Sequence, residues 1–173
     1  MKRYLAFLRA INVGGRTVKM ADLRRHFEQA GLREVETFIA SGNVLFSSPE
    51  DDSRRLEQHI EQHLEQALGY RVDTFLRTPT EVRSVAALLP FGLESSAFYV
   101  AFLKAPPPPE FEPRLLALEN EVDRLAVSGR EVYWQCSVSS HLSSFSGAVL
   151  EKLLGAPATL RNRNTVVRLA SRP

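Results

Sequence analysis

Cysteine is almost absent from this sequence: Cys136 stands alone among 173 residues. A single cysteine excludes an intramolecular disulfide and a zinc site built from a cysteine cluster. Long apolar runs are also missing, since no stretch approaches the roughly 20 apolar residues of a membrane-spanning helix. Charged residues interrupt the first positions of the chain, which is atypical of a secretion signal. We therefore predict a cytoplasmic protein that has no membrane partner.

The sequence also has little net charge, because 22 lysines and arginines are balanced by 20 aspartates and glutamates, leaving +2. This balance does not by itself indicate a nucleic-acid or anionic-membrane partner. Apolar residues at 44% and charged residues at 24% are typical of a folded globular protein. Basic residues nevertheless cluster locally, at Arg16, Lys19, Arg24 and Arg25, and again at Arg161, Arg163, Arg168 and Arg172.

Residues 1–77 predict the element order β-α-β-β-α-β. The first strand is a short run with two apolar faces, which is typical of a strand covered on both sides. Ser41-Gly42-Asn43 forms the turn of a predicted hairpin. The strands are expected at 4–11, 35–40, 44–47 and 71–77, with helices at 20–30 and between the acidic segment 48–53 and Gly69. This order is the split βαβ pattern of a ferredoxin-like domain.

The pattern returns in the second half of the chain. Residues 4–10 and 99–105 share the sequence Tyr-x-Ala-Phe-Leu-(Arg/Lys)-Ala, and coincidence of two buried strands is the alternative explanation. Strands are expected at 98–105, 122–127 and 131–136, and helices at 110–120, 143–154 and 162–170. We predict an α+β fold of two ferredoxin-like subdomains in one compact chain, produced by internal duplication. The subdomains are residues 1–77 and 96–173, the second with a terminal helix, and a helical connector spans 78–95.

Two motifs resemble those of a known family. The first comprises residues 9–15 (RAINVGG), Lys19-Met20, Leu23-Arg24 and 37–46 (TFIASGNVLF), and the second comprises 159–166 (TLRNRNTV). Together they resemble the bacterial domain-of-unknown-function family 1697 over nearly the whole chain. The resemblance implies a small bacterial α+β protein of two subdomains and supplies no activity. The chain departs from the family pattern at Arg163, where tryptophan is usual, and at Ser143-Ser144, where a Ser-Lys pair is usual.

The first candidate binding site combines two loops that the predicted sheet topology brings to one edge. Glycines let backbone amides approach an anion, and nearby basic side chains supply charge. The candidate ligand-binding residues are Arg9, Asn12, Gly14, Gly15, Lys19, Ser41, Gly42 and Asn43, with Arg16 as a further source of charge. The alternative is that the glycines only make tight turns. The loops match neither a P-loop nor a GxGxxG motif.

The second candidate is a polar motif near the C-terminus, in which two guanidinium groups and two amides lie within five residues. Such groups are good partners for phosphate or for backbone carbonyls. Its residues are Arg161, Asn162, Arg163, Asn164 and Thr165. Buried structural bonding is the favoured interpretation, with an asparagine N-cap and ligand contact as the alternatives.

Serine, histidine and cysteine support weaker hypotheses. The serine-rich run 137–144 lacks a nucleophile elbow and is interpreted as a loop with an N-cap serine. His59 and His63 have the i, i+4 spacing of a zinc pair without an HExxH motif, so a solvated helix face is favoured. Cys136 is interpreted as an inert buried thiol. We therefore predict no metal and no cofactor.

Three functional hypotheses follow. The leading one is a binding protein for a phosphate-bearing ligand, a nucleotide or RNA, at the two loops and at Arg161 and Arg163. The second is an enzyme acting on a small anionic substrate at the same loops, with asparagine and arginine stabilising an oxyanion. The third is a protein-interaction or homodimeric module that binds through apolar sheet faces. The strand 44–47 lacks the aromatic pattern of an RNA-recognition module.

Overall fold

The computed structural model describes residues 1–39, 42–92 and 97–172. This described part is α+β, with two four-stranded antiparallel sheets and six α-helices. The chain divides into two units, residues 1–82 and 83–173, and the division falls within the helix Pro79–Ala87. None of the described helices is long and apolar enough to cross a membrane.

The first unit has the predicted element order β-α-β-β-α-β. Its elements are β1 (Lys2–Leu8), α1 (Met20–Gln29), β2 (Arg33–Thr37), β3 (Asn43–Ser48), α2 (Ser53–Leu68) and β4 (Thr74–Arg77). The sheet order is β2-β3-β1-β4, and every neighbouring pair is antiparallel. One core cluster joins the apolar stripes of α1 and α2 to one face of this sheet.

Both faces of β1 are buried, as the two-sided apolar pattern predicts. Tyr4, Ala6 and Leu8 belong to the core cluster beneath the helices, while Leu5 and Phe7 are buried on the opposite face. The strand ends at Leu8 and not at residue 11 as predicted. The reason is Ala10, whose left-handed φ of +56° is incompatible with an extended strand.

Helix α2 has defined signals at both ends. The Asp52 carboxylate accepts hydrogen bonds from Arg54 N at 2.9 Å and Arg55 N at 3.2 Å, which satisfies two orphan donors of the first turn. Gly69 ends the helix in a left-handed conformation, as predicted. These two residues therefore define where the helix begins and where it ends.

Carboxylates from α2 cover the free edge of β4, which lies at the margin of the sheet. Glu57 Oε1 accepts a hydrogen bond from Leu76 N at 2.9 Å, and Glu61 Oε1 accepts one from Thr74 N at 2.8 Å. An edge strand with satisfied N–H groups is a poor template for pairing with another chain. The arrangement also explains why Glu57 is buried in an otherwise apolar face.

The second unit contains the other sheet, whose strand order is β6-β7-β5-β8. After α3 (Pro79–Ala87), its elements are β5 (Ala97–Leu103), α4 (Phe111–Leu116), β6 (Asp123–Ser128), β7 (Glu131–Cys136), a 3-10 turn (Ser140–Leu142), α5 (Gly147–Leu154), β8 (Ala158–Asn162) and α6 (Arg163–Ala170). Neighbouring strands are again antiparallel. A core cluster joins α4 and α5 to one sheet face.

The structure differs from the predicted second half by more than two residues at β8, α4 and α5. Strand β8 was not predicted, because three of its five residues are polar and Arg161 is charged. Helix α4 ends at Leu116, four residues before the predicted end at Asn120. The Asn120 Oδ1 atom accepts hydrogen bonds from Val122 N and Asp123 N, which favours a turn over a helix. Helix α5 begins at Gly147 and not at 143, after the N-cap Ser146.

Candidate anion-binding site

The segment of residues 9–19, which we call the glycine loop, joins β1 to α1. Gly14 and Gly15 lie near its centre with φ angles of +62° and +80°, and both are exposed. A Cβ atom added to either residue would meet nothing within 4 Å. Glycine is therefore needed here for its left-handed backbone and not for space.

Asn12 holds the glycine loop closed across its base. Its Oδ1 atom accepts a hydrogen bond from Val18 N at 2.8 Å. A second bond, from Arg16 N to Val13 O at 3.2 Å, forms a turn within the loop. Ile11 and Val18 are buried, so the loop is anchored near both ends and presents its middle residues to solvent.

Backbone donors are available in the glycine loop and at the start of α1. The described residues provide no hydrogen-bond partner for the N–H of Gly14 or of Gly15. Lys19, the N-cap of α1, makes no side-chain hydrogen bond to the first turn, and the first helical bond runs from Leu23 N to Lys19 O. A glycine-rich turn that leads into a helix N-terminus concentrates N–H groups and the positive end of the helix dipole, which together favour an anion.

Two cationic side chains belong to the same segment. The Arg16 guanidinium lies over the ring of Tyr70, 4.3 Å from its centroid, which limits its motion. Lys19 is exposed directly before α1. Neither side chain has an acidic partner in the described part of the chain. Their charge is therefore available to an anion at the glycine loop.

The other two basic residues of this cluster are neutralised within α1. Arg24 Nε lies 2.9 Å from Glu28 Oε1, and Arg25 pairs with Asp22. These i, i+4 and i, i+3 spacings are visible in the sequence and are favourable on a helix surface. Of the four clustered basic residues, Arg16 and Lys19 in the glycine loop are therefore the ones whose charge remains available.

The β2–β3 hairpin lies against the glycine loop, as the sheet topology predicts. Leu8 N, at the end of β1, donates a hydrogen bond to Gly42 O at 2.8 Å. Gly42 packs so closely that an added Cβ would lie 2.7 Å from Ile11 Cγ2. The structure thus brings Gly42 and the first residues of the glycine loop together.

The other predicted binding residues of the hairpin are Asn43 and Ser41. Asn43 is only 1% exposed, and its Nδ2 donates to Phe38 O at 3.1 Å while Phe38 N donates to Asn43 O at 2.9 Å. The Asn43 side chain therefore forms a hydrogen bond within the hairpin and is not exposed to solvent. Ser41, the other predicted hairpin residue, lies outside the described residues, as does Ala40.

The second candidate motif lies in the second unit, where β8 passes into α6. Arg161 is 7% exposed, and its Nη1 donates to Thr159 Oγ1 and to Leu160 O, both at 2.8 Å. Burial lowers the pKa of this guanidinium to about 10, because low-polarity surroundings disfavour the charged form. Both of these partners belong to β8, the strand that carries Arg161.

The following residues of the motif join three elements of the second unit. Asn162 is the N-cap of α6, and its Oδ1 accepts a hydrogen bond from Asn164 N at 2.8 Å. Arg163 Nη2 donates to Ala86 O in α3 at 2.8 Å. Asn164 is exposed and Thr165 is half-buried. The asparagine N-cap therefore exists, and it is Asn162.

The second unit contains a buried carboxylate, Asp123, that was not predicted from the sequence. Asp123 Oδ1 accepts hydrogen bonds from Trp134 Nε1 at 2.8 Å and Ser143 Oγ at 2.7 Å, and Oδ2 accepts one from Asn120 Nδ2 at 2.9 Å. Burial alone would raise the pKa of this carboxyl, but the hydrogen bonds from Ser143, Trp134 and Asn120 hold it below its ordinary value. Burial raises the pKa of the neighbouring Cys136 thiol, in keeping with an inert cysteine.

The histidine pair on α2 is not uniformly solvated. The ring of His63 is half-buried and lies 6.4 Å, centroid to centroid, from the ring of His26 on α1. Burial, followed by the neighbouring histidines, lowers the pKa of His63. His59 is exposed, and its Nε2 lies 2.7 Å from Ala30 O. In the part of the chain that the structure describes, no group of three or more His, Cys, Asp or Glu side chains is arranged to hold a metal ion.

The architecture and the loop geometry define an α+β protein with two four-stranded sheets and a glycine-rich strand-to-helix loop. The chain belongs to the DUF1697 family, a family of proteins of unknown function, whose model matches residues 1–133. This match contains the glycine loop and the hairpin, while the motif at 159–166 lies beyond it. Among curated proteins, none matches the chain.

A solved structure with the same fold comes from a bacterium. It is the conserved bacterial protein SP0830 from Streptococcus pneumoniae, which superposes with a TM-score of 0.77 at 22% sequence identity. The similarity covers 98% of this chain and 97% of that one. The two chains therefore share a fold over essentially their whole lengths.

Proposed function

We propose that the glycine loop binds the phosphate group of a nucleotide or of RNA. Two features of the glycine loop carry the proposal: the exposed pair Gly14-Gly15, whose N–H groups have no partner in the described part of the chain, and the uncapped start of α1 at the end of the loop. Unpaired N–H groups at a helix N-terminus match the acceptor oxygens and negative charge of a phosphate.

The surrounding side chains support the same ligand. Arg16 and Lys19 add two positive charges that no acidic side chain in the described residues neutralises. The bond from Val18 N to Asn12 Oδ1 closes the loop before any ligand arrives. A preorganised loop loses less conformational entropy on binding than a mobile one.

We also propose that the two units are ferredoxin-like and arose by duplication. The strand orders β2-β3-β1-β4 and β6-β7-β5-β8 correspond element by element. A buried arginine occupies the same place in each sheet, since Arg77 is paired with Leu5 and Arg161 with Val100. In each case Nη1 donates to the carbonyl of the preceding residue at 2.8 Å. Such repeated detail supports descent from one βαββαβ unit.

The phosphate site predicts a charge-specific loss of binding. We expect the double substitution Arg16→Ala and Lys19→Ala to weaken binding of inorganic pyrophosphate at least about tenfold, equivalent to about 1.4 kcal/mol. The physical reason is the loss of both cations next to the backbone donors. Titration of the isotopically labelled protein with pyrophosphate measures the effect, and the amide signals of Gly14 and Gly15 are expected to shift in the wild-type chain.

The matched control is Arg24→Ala with Arg25→Ala, which removes the same net charge from residues already paired within α1. We expect this control to bind pyrophosphate almost as the wild type does. Equal weakening by both double substitutions, or unchanged Gly14 and Gly15 signals at saturating pyrophosphate, would refute the site. A mononucleotide and a short RNA serve as further probes, since binding of the RNA depends steeply on salt concentration.

A further inference from the structure

Strand β6 lies at the margin of the second sheet, so one of its edges pairs with β7 and the other has no neighbouring strand. In an antiparallel pair, successive residues direct their backbone N–H and C=O groups alternately toward the partner strand and away from it. Val122 O accepts a hydrogen bond from Ser137 N, directly after β7, at 2.9 Å and therefore points toward β7. The alternation then directs the backbone groups of Asp123, Leu125 and Val127 away from β7.

Side chains and a turn occupy part of this outer edge. Asp123 N donates to Asn120 Oδ1 at 3.0 Å, and Asn120 N donates to Asp123 O at 3.2 Å. Leu125 N donates to Glu119 Oε1 at 2.9 Å. In the described part of the chain, Leu125 O and both backbone groups of Val127 have no hydrogen-bond partner. We call these three groups the open edge of β6.

Carboxylates close other strand edges of this protein. Glu57 and Glu61 accept hydrogen bonds from the outer N–H groups of β4, and Glu151 Oε1 accepts one from Ala158 N on β8 at 3.1 Å. Folded proteins close such edges because unpaired backbone groups are a template for another extended chain. The open edge of β6 therefore has the backbone chemistry of a site for strand addition, in which a partner segment extends the sheet.

A cleft of about 410 Å³ lies along β6. Residues 123–126 form its floor, Glu112 and Leu116 of α4 line one side, and Pro90 and Phe91 of the segment after α3 line the other. A strand added to a sheet lies about 4.8 Å from its neighbour, in the plane of the sheet. The cleft provides room for an extended segment at that position.

The two sides of the cleft differ in charge. Leu125 and Val127 pack in the core cluster that includes α4, so residues placed opposite them in an added strand direct their side chains toward α4. Glu112 is exposed on this side and has no ion pair in the described part of the chain. On the other side, the Arg124 guanidinium lies 5.1 Å from the Phe91 ring centroid.

We infer that the open edge of β6 binds an extended segment of a partner protein, antiparallel to β6, in which basic and apolar residues alternate. Val127 forms two backbone hydrogen bonds with this segment, and Leu125 O accepts a third. The basic side chains lie beside Glu112, while the apolar ones contact the Phe91 ring, where Arg124 disfavours a second cation. The inference goes beyond the proposed phosphate site, because all of these residues belong to the second unit and the ligand carries no phosphate.

A second copy of this chain does not match the charge pattern. In a copy paired through its own β6, the residues opposite the open edge would be Asp123, Leu125 and Val127, whose backbone groups face outward. None of the three is basic, and their side chains pack within their own unit. A separate basic segment is therefore the occupant that complements Glu112.

Backbone-methylated peptides test the inference on the full chain. The parent probe is the end-capped hexapeptide Val-Lys-Val-Lys-Val-Lys, whose lysine N–H groups face β6 when the lysine side chains lie beside Glu112. Methylation of the lysine nitrogens removes the bonding donors, whereas methylation of the valine nitrogens removes donors that face away. By calorimetry, we expect the parent and the valine-methylated peptide to bind with similar affinity, and the lysine-methylated peptide at least about tenfold more weakly.

Two variants of the protein test the same contacts. Val127→Pro removes one donor of the open edge, and proline is tolerated on an edge strand where the N–H faces solvent. Glu112→Lys reverses the charge of an exposed side chain and leaves the backbone unchanged. We expect each to weaken binding of the parent peptide at least about tenfold. Glu65→Lys, exposed on α2 of the first unit, is the matched control and should bind the peptide as the wild type does.

Several results would overturn the inference. They are the absence of binding by the parent peptide, equal weakening by both methylations, and equal affinities of Glu112→Lys and Glu65→Lys. A wild-type dimer that Val127→Pro dissociates and the parent peptide does not would assign the edge to a second copy instead. Failure of the phosphate proposal is visible separately as the absence of pyrophosphate binding, since the peptides do not report on the glycine loop.

Discussion

Asp123→Asn is expected to lower the free energy of unfolding by about 2 to 4 kcal/mol, because it removes a charged acceptor at the centre of a buried network. The carboxylate accepts hydrogen bonds from Trp134, Ser143 and Asn120. An asparagine in the same place presents an NH2 group to at least one of these donors. One buried donor then loses its partner, and the charge-assisted character of the other bonds is lost as well.

The size of this effect follows from what the network connects. Ser143 Oγ also accepts a hydrogen bond from Phe145 N at 2.9 Å, and the Phe145 ring packs edge-on against Trp134. Asp123 therefore ties the start of β6 to β7 and to the segment that precedes α5. Loss of the carboxylate weakens both attachments at once, so the change is not confined to a single bond.

Acidic pH should reduce the difference in the free energy of unfolding between the wild type and Asp123→Asn. The folded-state pKa of Asp123 lies below its ordinary value, so its contribution is fully present above the unfolded-state pKa of about 4. The contribution is lost as the pH falls through the lower folded-state value. Urea unfolding of both proteins between neutral pH and the acid limit of folding measures this convergence.

Asp51→Asn is the matched control, because Asp51 is 81% exposed and its ion pair in the described part of the chain is the surface pair with Lys2. We expect it to change the free energy of unfolding by less than about 1 kcal/mol at any pH. A result in which Asp123→Asn is no more destabilising than Asp51→Asn would contradict the ionised, fully bonded state of Asp123.

The elements that could be predicted are those in which burial follows hydrophobicity. The hairpin of β6 and β7 has alternating apolar residues around Ser128-Gly129-Arg130, and β7 has the predicted bounds Glu131–Cys136. Strand β8 does not follow this pattern, because its buried residues include the charged Arg161. A buried arginine satisfied by Thr159 and a backbone carbonyl has no signature in a hydrophobic pattern.

The functional residues likewise differ in whether the sequence could predict them. The glycine loop was predictable, because two consecutive glycines between a strand and a helix mark a backbone that other residues rarely adopt. Asp123 was not, since aspartate is mostly exposed and its burial depends on partners from distant parts of the chain. An Asn-x-x-Asp spacing before a strand is the one local signal that marks Asp123.

Gly42→Ala is expected to destabilise the first unit by about 2 to 5 kcal/mol, the sum of a backbone cost and an overpacking cost of about 1 to 3 kcal/mol. The φ angle of +76° is left-handed, which costs alanine about 1 to 2 kcal/mol. The new Cβ would also lie 2.7 Å from Ile11 Cγ2 and 3.1 Å from Leu8 Cβ. Both neighbours are buried and Leu8 belongs to β1, so they cannot move aside without disturbing the core.

Gly69→Ala separates the two effects, because Gly69 has nearly the same φ, +80°, but nothing within 4 Å of an added Cβ. It should therefore show only the backbone cost of about 1 to 2 kcal/mol. The difference between the two variants in urea unfolding then measures the close contact between the hairpin and the glycine loop. If Gly42→Ala and Gly69→Ala are equally destabilised, the hairpin does not press on Ile11. The glycine loop would then hold its shape through Asn12 and its own turn, independently of the hairpin.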